Sequence, residues 1–338
     1  MASGLLRHLA DRYAFDGTPR FFDLGVYHVP FESMVGRSNV ETKLGECTER
    51  GERVALIAES GCGKSSLVSH VLSPTAERVA PMVVPVHGLG RDAASAGSVA
   101  DAILGHLGRQ IQVAHGTSGP PTSAVGQRRE VVERQSRNRS AEVGIGWLRG
   151  SVAKQVELQI GSSQPIVLDE KIESVFQVLQ AFHADSLMPV FVFDDTDRWD
   201  GSSQSEIVTG FFGDAIRWLT EMPASLVVAT HSRYLESNEA SVLLEYLDTR
   251  IEIPRVPSTE QLSRILERRV ESNLGEESDV WDFADLVSKP AVEGLFSAYE
   301  EGASLRRVLQ LAHIALKEAV DAGDETVAGH HIQAALQA

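Results

Sequence analysis

The chain has 338 residues, is 43% hydrophobic and 23% charged, and carries a formal net charge of −16. This length accommodates one large domain and a smaller one with a substantial core, and the ordinary composition excludes a fibrous or disordered chain. The acidic balance argues against autonomous, non-specific nucleic-acid binding, which depends on basic surface, but leaves room for a local basic patch.

Residues 1–35 read as an N-terminal arm: one short helix, then an extended stretch broken by Gly17, Pro19 and Pro30 and rich in aromatics. Val35-Gly36-Arg37 opens a predicted helix through Leu44 and Cys47. The apolar run ending at Ala58 predicts a strand over 53–58, followed by Glu59-Ser60-Gly61-Cys62-Gly63-Lys64-Ser65 and then the helical run from Ser66 to Leu72. Strand, glycine-rich turn and helix are the context of a phosphate-binding loop. Glycines let backbone N–H groups curl toward phosphate oxygens, and the helix adds its positive end. Lys64 is the residue expected to reach the β- and γ-phosphates, and the Ser65 hydroxyl to bind Mg²⁺. The usual pattern begins with glycine, and Ala58 stands in its place. A dinucleotide fingerprint is excluded, because Ser66 occupies the position of its third glycine. The loop's binding residues are therefore Ser60, Gly61, Cys62, Gly63, Lys64, Ser65 and Ser66.

The next predicted strand is Pro81 to Val86, and Ser98 to Ile111 has the apolar spacing of a helix. Residues 114–165 differ, being rich in Gly, Ser, Gln and Arg. Arg128, Arg129, Arg134, Arg137 and Arg139 make them locally basic, and Glu142–Ile160 reads as a glycine-rich hairpin. Two readings stay open for the stretch Arg128–Lys154: a solvated surface insertion, or a contact element for DNA or a partner.

Ile172–Phe182 predicts a helix, and the apolar run Pro189–Phe193 ends in Asp194-Asp195. A carboxylate at the end of a strand can hold the magnesium of a phosphate loop, which assigns Asp194 to the metal. Asp195 is the next acidic residue and would orient or deprotonate the attacking water. Phe211–Leu219 reads as helix, Ala224–Thr230 as a strand and Arg250–Ile253 as a short last one. From Ser258 onward the pattern is helical: 258–273, 279–287, 290–300, 303–321 and 326–337. The expected architecture is α/β: a three-layer, parallel-sheet P-loop core over 36–256, with a helical domain over 257–338. No apolar run approaches the ~18–20 residues that span a bilayer. Met1–His8 lacks the apolar core of a leader, and two cysteines, Cys47 and Cys62, make no disulfide framework. A cytoplasmic protein without a membrane partner is expected.

With these motifs placed, the chain resembles the AAA+ (ASCE) ATPases and the related STAND switch ATPases, most of all the bacterial origin-recognition type. The resemblance covers roughly 30–338. Val35-Gly36-Arg37 resembles the box that lines the adenine pocket, which implies roles for Gly36 and Arg37. Asp194-Asp195-Thr196-Asp197-Arg198 is similar to the acidic motif of prokaryotic STAND-like and KAP-type proteins. Most hydrolytic relatives carry glutamate where Asp195 stands, so the resemblance implies slow turnover. It further implies a γ-phosphate sensor at Thr230, with His231 the alternative, and a lid arginine at Arg306, with Arg307 the alternative. An arginine finger offered to a neighbouring subunit falls on Arg250 or Arg233. The implied cofactors are ATP and Mg²⁺, and the implied partners are copies of this chain, effector proteins or DNA. Two functions follow: an oligomeric ATPase acting on or beside DNA, or a nucleotide-controlled switch of an antiphage or conflict system. A small-molecule kinase is disfavoured by the helical lid.

Overall fold

In the computed structural model, the described residues are 2–15, 21–31, 39–59, 61–73, 78–85, 96–114, 168–184, 186–194, 210–232, 246–274 and 281–337. They divide into two compact units. One comprises Met1–Lys43, Ile57–Val71 and Glu252–Ala338; the other comprises Leu44–Leu56 and Leu72–Ile251. Gly36, Arg37, Ser60, Asp195, Arg233 and the basic insertion lie outside the described residues.

The second unit is built on a parallel five-stranded sheet. Its strands are β1 (Arg53–Ala58), β2 (Val79–Pro85), β3 (Met188–Asp194), β4 (Ser225–His231) and β5 (Thr249–Glu252), in the order β2-β3-β4-β1-β5. β3 pairs in parallel with β2 from Val79↔Met188 to Pro85↔Asp194, and with β4 from Val190↔Ser225 to Phe193↔Val228. Val190, Phe191, Val192 and Phe193 are all fully buried, as a parallel sheet covered on both faces requires. The unbroken apolar run Pro189–Phe193 is the sequence signature of that burial. Helices α4 (Ala96–Ala114) and α5 (Leu168–Ala184) pack together, α4 also on β2 and α5 on β3.

The stretch expected to be one helix over 211–219 is instead a π turn, Phe211–Ala215, running into the short α6, Ile216–Leu219. Its cause is aromatic packing. The Phe211 ring stands edge-on to Phe193 at 5.0 Å and to Phe212 at 5.2 Å, and all three rings are buried. A widened turn lets consecutive phenylalanines both point inward.

The first unit holds α1 (Ala2–Asp11), a 3₁₀ segment Phe21–Tyr27, most of the phosphate-loop helix α3 (Lys64–Leu72) and the helical region. That region contains α7 (Thr259–Leu274), α8 (Phe283–Leu286), α9 (Lys289–Glu300), α10 (Leu305–Ala322) and α11 (Gly329–Gln337). α2 (Val40–Glu49) begins later than the Val35 start read from the pattern, and Asn39 precedes it without helical structure. α8 is much shorter than the 279–287 helix expected. The Asp282 carboxylate accepts from Ala284 N–H at its start, and Val287 at its end leaves for a bridge with Val327. Among the described residues, no helix is long and apolar enough to cross a membrane.

Candidate functional site

The loop begins where β1 ends. Val54 to Ala58 are buried, so the strand is anchored up to its last residue. Gly61 and Gly63 adopt φ of +78° and +91°, the left-handed region in which an L side chain is strained. A Cβ on Gly61 would also lie 3.0 Å from Ser304 Cβ and 3.2 Å from the Arg306 backbone nitrogen. At Gly63 nothing among the described residues lies within 4 Å of that position, so conformation alone requires glycine there. Ala58, the departure from the usual pattern, sits in β1 and is not among the residues with positive φ. Alanine therefore costs the backbone nothing there.

Lys64 is 6% exposed, and its ammonium donates to the Ala58 and Glu59 carbonyls at 3.0 Å each. A buried charge needs such partners. Neutral carbonyls are weaker acceptors for it than phosphate oxygens, with which the hydrogen bonds become charge-assisted on both sides. Ser65, in the first turn of α3, is half-buried. The Ser66 hydroxyl donates to the Leu24 carbonyl at 3.1 Å, tying the arm to this helix. Burial pushes the Cys62 thiol up, against the lowering influence of Lys64 and Arg255. The residue therefore behaves as a small buried filler rather than a reactive thiolate.

Two predicted residues stand at strand ends of the sheet. Asp194 closes β3 and is partly exposed, while Thr230 lies near the end of β4 and is completely buried. The parallel register of β3 on β4 brings these ends to one edge. Among the described residues, the Thr230 hydroxyl has no hydrogen-bond partner. An orphaned buried hydroxyl costs roughly 1–3 kcal/mol. His231 beside it is half-buried. Arg250 is exposed on β5, the edge strand of the sheet.

In the helical region, the Ser304 hydroxyl caps α10 by accepting from Arg307 N–H at 3.2 Å. Arg306 and Arg307 are both exposed. The Arg306 backbone nitrogen lies near Gly61, so the start of α10, which carries both Arg306 and its alternative Arg307, stands beside the loop.

The arm makes contacts with α3 that no sequence pattern announced. Gly25 N–H donates to Ser69 Oγ at 3.0 Å, and a Cβ on Gly25 would lie 2.9 Å from the His70 backbone nitrogen. Only glycine fits there. His28, buried, pairs with Glu41 at 2.9 Å, and the same carboxylate oxygen accepts from Phe31 N–H at 2.7 Å. The His28 ring also lies 4.7 Å from that of His70 and 5.4 Å from that of Phe31. Burial raises the Glu41 carboxyl, but its hydrogen bonds with His28 and Phe31 outweigh this, and it lies below the usual range. Burial, with the charge of His28, pushes His70 below its usual value.

Both shifts work in one direction. The unfolded chain takes up the His70 proton near pH ~6.5, before the folded chain does, so this contribution is complete above that pH and declines as pH falls. The Glu41 contribution is lost further down, in the acid range. Thermal unfolding between pH 7.5 and 5.5 should show falling stability, and His70→Gln, which cannot titrate, should flatten the slope. An unchanged slope in that variant would remove His70 from the acid response.

The molecule has the fold seen in solved origin-recognition proteins. It is similar to the Orc1 protein of Aeropyrum pernix, solved in complex with DNA, at 17% identity and a TM-score of 0.51, over 92% of this chain and 65% of that one. It is also similar to the A. pernix Orc2 protein, solved as ADPNP–ADP complexes, at 14% identity and a TM-score of 0.50, over 96% of this chain and 71% of that one. The third is Cdc6p of Pyrobaculum aerophilum, at 12% identity and a TM-score of 0.54, over 96% of this chain and 70% of that one. The chain spans 65% of the first of these and about as much of the others, and at such identities the likeness is one of fold. No family model and no curated protein matches the sequence.

Proposed function

We propose that this chain binds ATP with Mg²⁺ at the loop Ala58–Ser65, hydrolyses it slowly, and uses the ATP-bound form to assemble on DNA or on partner proteins. The observation that carries the reading is the buried Lys64 ammonium, held by loop carbonyls in a turn whose Gly61 and Gly63 take left-handed conformations. In this reading Gly61, Cys62, Gly63, Lys64, Ser65 and Ser66 present backbone N–H groups to the phosphates. Ser65 and Asp194, hard oxygen donors, hold the magnesium. Thr230 and Arg306 contact the γ-phosphate, Asp195 prepares the water, Gly36 and Arg37 border the base, and Arg250 serves a neighbouring copy. The nucleotide supplies the phosphoanhydride bond, and the metal neutralises its charge.

The DNA-bound Orc1 likeness supports a role beside DNA, with the basic stretch Arg128–Lys154 as the contact. A second reading is a switch or scaffold with little hydrolysis, of the kind found in antiphage systems. It is favoured by aspartate rather than glutamate at 195 and by the net charge of −16. Two buried free thiols and an ATP loop suit the cytoplasm. Binding of Mg-ATP and Mg-ADP, with solution mass measured under ATP, ADP and no nucleotide, tests both readings. Binding with a mass increase under ATP is expected. A monomer under all three conditions would remove the assembly, and absence of binding would remove the function.

A further inference from the structure

Arg255 was singled out by no motif, yet it touches both elements that frame the phosphate loop within the first unit. The chain leaves β5 as Pro254-Arg255-Val256-Pro257, and each proline fixes its own φ and restricts the residue before it. This stiff segment is anchored on both sides of the arginine. Ile253 N–H donates to the Ile57 carbonyl at 2.9 Å, and Val256 N–H donates to the buried Tyr299 hydroxyl at 3.2 Å.

From that fixed point the guanidinium reaches in two directions. It lies 5.0 Å over the Tyr299 ring and donates from Nη2 to the Tyr299 carbonyl at 3.4 Å. Its Nε lies 3.7 Å from the Glu59 carboxylate. Each contact leads onward. The Tyr299 carbonyl also accepts from Gly302 N–H at 3.1 Å, in the turn where Gly302 has φ of +109° and which delivers Ser304 and Arg306 to Gly61. The Glu59 carbonyl is an acceptor of the Lys64 ammonium. Both charged groups of the Arg255–Glu59 pair are about half exposed, so the pair contributes little to holding the fold together. Its weight is geometric: a planar guanidinium can stack on a ring and donate at its edges at once, which an ammonium cannot.

We infer that Arg255 is a positioning residue that couples the phosphate loop to the turn carrying Arg306, and so sets the preference for ATP over ADP. This rests on the reading that the loop binds nucleotide. It predicts that Arg255→Ala narrows the ratio of ATP to ADP affinity by about tenfold, within the usual range of coupling between sites. Arg255→Lys should not restore it.

The test is calorimetric titration of Mg-ATP and Mg-ADP into the full chain, with Arg255→Ala, Arg306→Ala and the double variant. If Arg255 works through Arg306, the double variant should have the same ratio as Arg306→Ala alone. A wild-type chain that binds neither nucleotide would overturn the nucleotide reading itself. Wild-type binding with an unchanged ratio in Arg255→Ala would overturn only the present inference. So would independent, multiplying losses in the double variant, because a merely structural role predicts them.

Discussion

Lys64→Ala is expected to abolish measurable ATP binding while the chain stays folded. The lysine is 6% exposed, and its ammonium is already aimed along the loop by two carbonyl acceptors at 3.0 Å. Removing it takes away charge-assisted bonds to the phosphates worth roughly 1.5–3 kcal/mol or more. That alone corresponds to about tenfold to a hundredfold in affinity, and loss of the loop's positive charge adds to it. The fold survives because the loop shape rests on other contacts. Gly61 and Gly63 take the left-handed conformations without strain, Cys62 N–H donates to the Glu59 carbonyl at 3.4 Å, and Leu67 N–H to the Gly63 carbonyl at 2.9 Å. Titration with a fluorescent ATP analogue, alongside thermal unfolding, checks both halves. ATP binding equal to wild type would end the nucleotide reading.

Asp195→Asn is expected to keep ATP affinity within a few-fold and to lower the hydrolysis rate by about 10²–10⁴, the usual contribution of a general base. Asparagine keeps the size and hydrogen-bonding reach of aspartate but cannot take the proton. Single-turnover hydrolysis and equilibrium binding measured together separate the two effects. Asp195→Glu is the informative companion, because its extra methylene restores the length usual in hydrolytic relatives. It should speed turnover if reach limits the wild type. Equal hydrolysis in wild type and Asp195→Asn would place the base elsewhere. The trapped form is also the material for a pull-down scored for DNA and proteins together.

Most strands of the sheet were legible because they bury apolar runs, whereas β5 buries only Ile251. Pro189–Phe193 is the clearest, and it sits within β3 as found. Strand order was not legible, since β4 comes late in the chain yet lies between β1 and β3. Helix limits moved wherever a long-range contact intervened. The pattern over 279–287 favours helix, but α8 starts only at Phe283, where Asp282 caps it, and stops at Leu286 beside the bridge of Val287 to Val327. At the site, glycine spacing disclosed the turn between β1 and α3, because the left-handed φ of Gly61 and Gly63 is a local property of the chain. The roles of Glu59, Arg255, His28 and Glu41 stayed hidden, because each depends on a partner distant in the chain. Thr230 was legible as a residue type, but only the sheet makes its hydroxyl buried and without a partner among the described residues.

The first unit draws on both ends of the chain, and this bears on how the protein is made. α1, with Leu6 and Leu9 buried, packs against α10, and the segment 24–31 closes on α3. Helix α1 leaves the ribosome some three hundred residues before 305–322, and until those follow its apolar face is uncovered. Such late pairing slows folding and leaves sticky surface exposed during synthesis. The sheet unit, by contrast, draws on residues made earlier, with its last strand ending at Glu252. Nascent chains of this protein should therefore carry an ordered sheet while α1 is still unprotected, a natural client surface for a ribosome-associated chaperone.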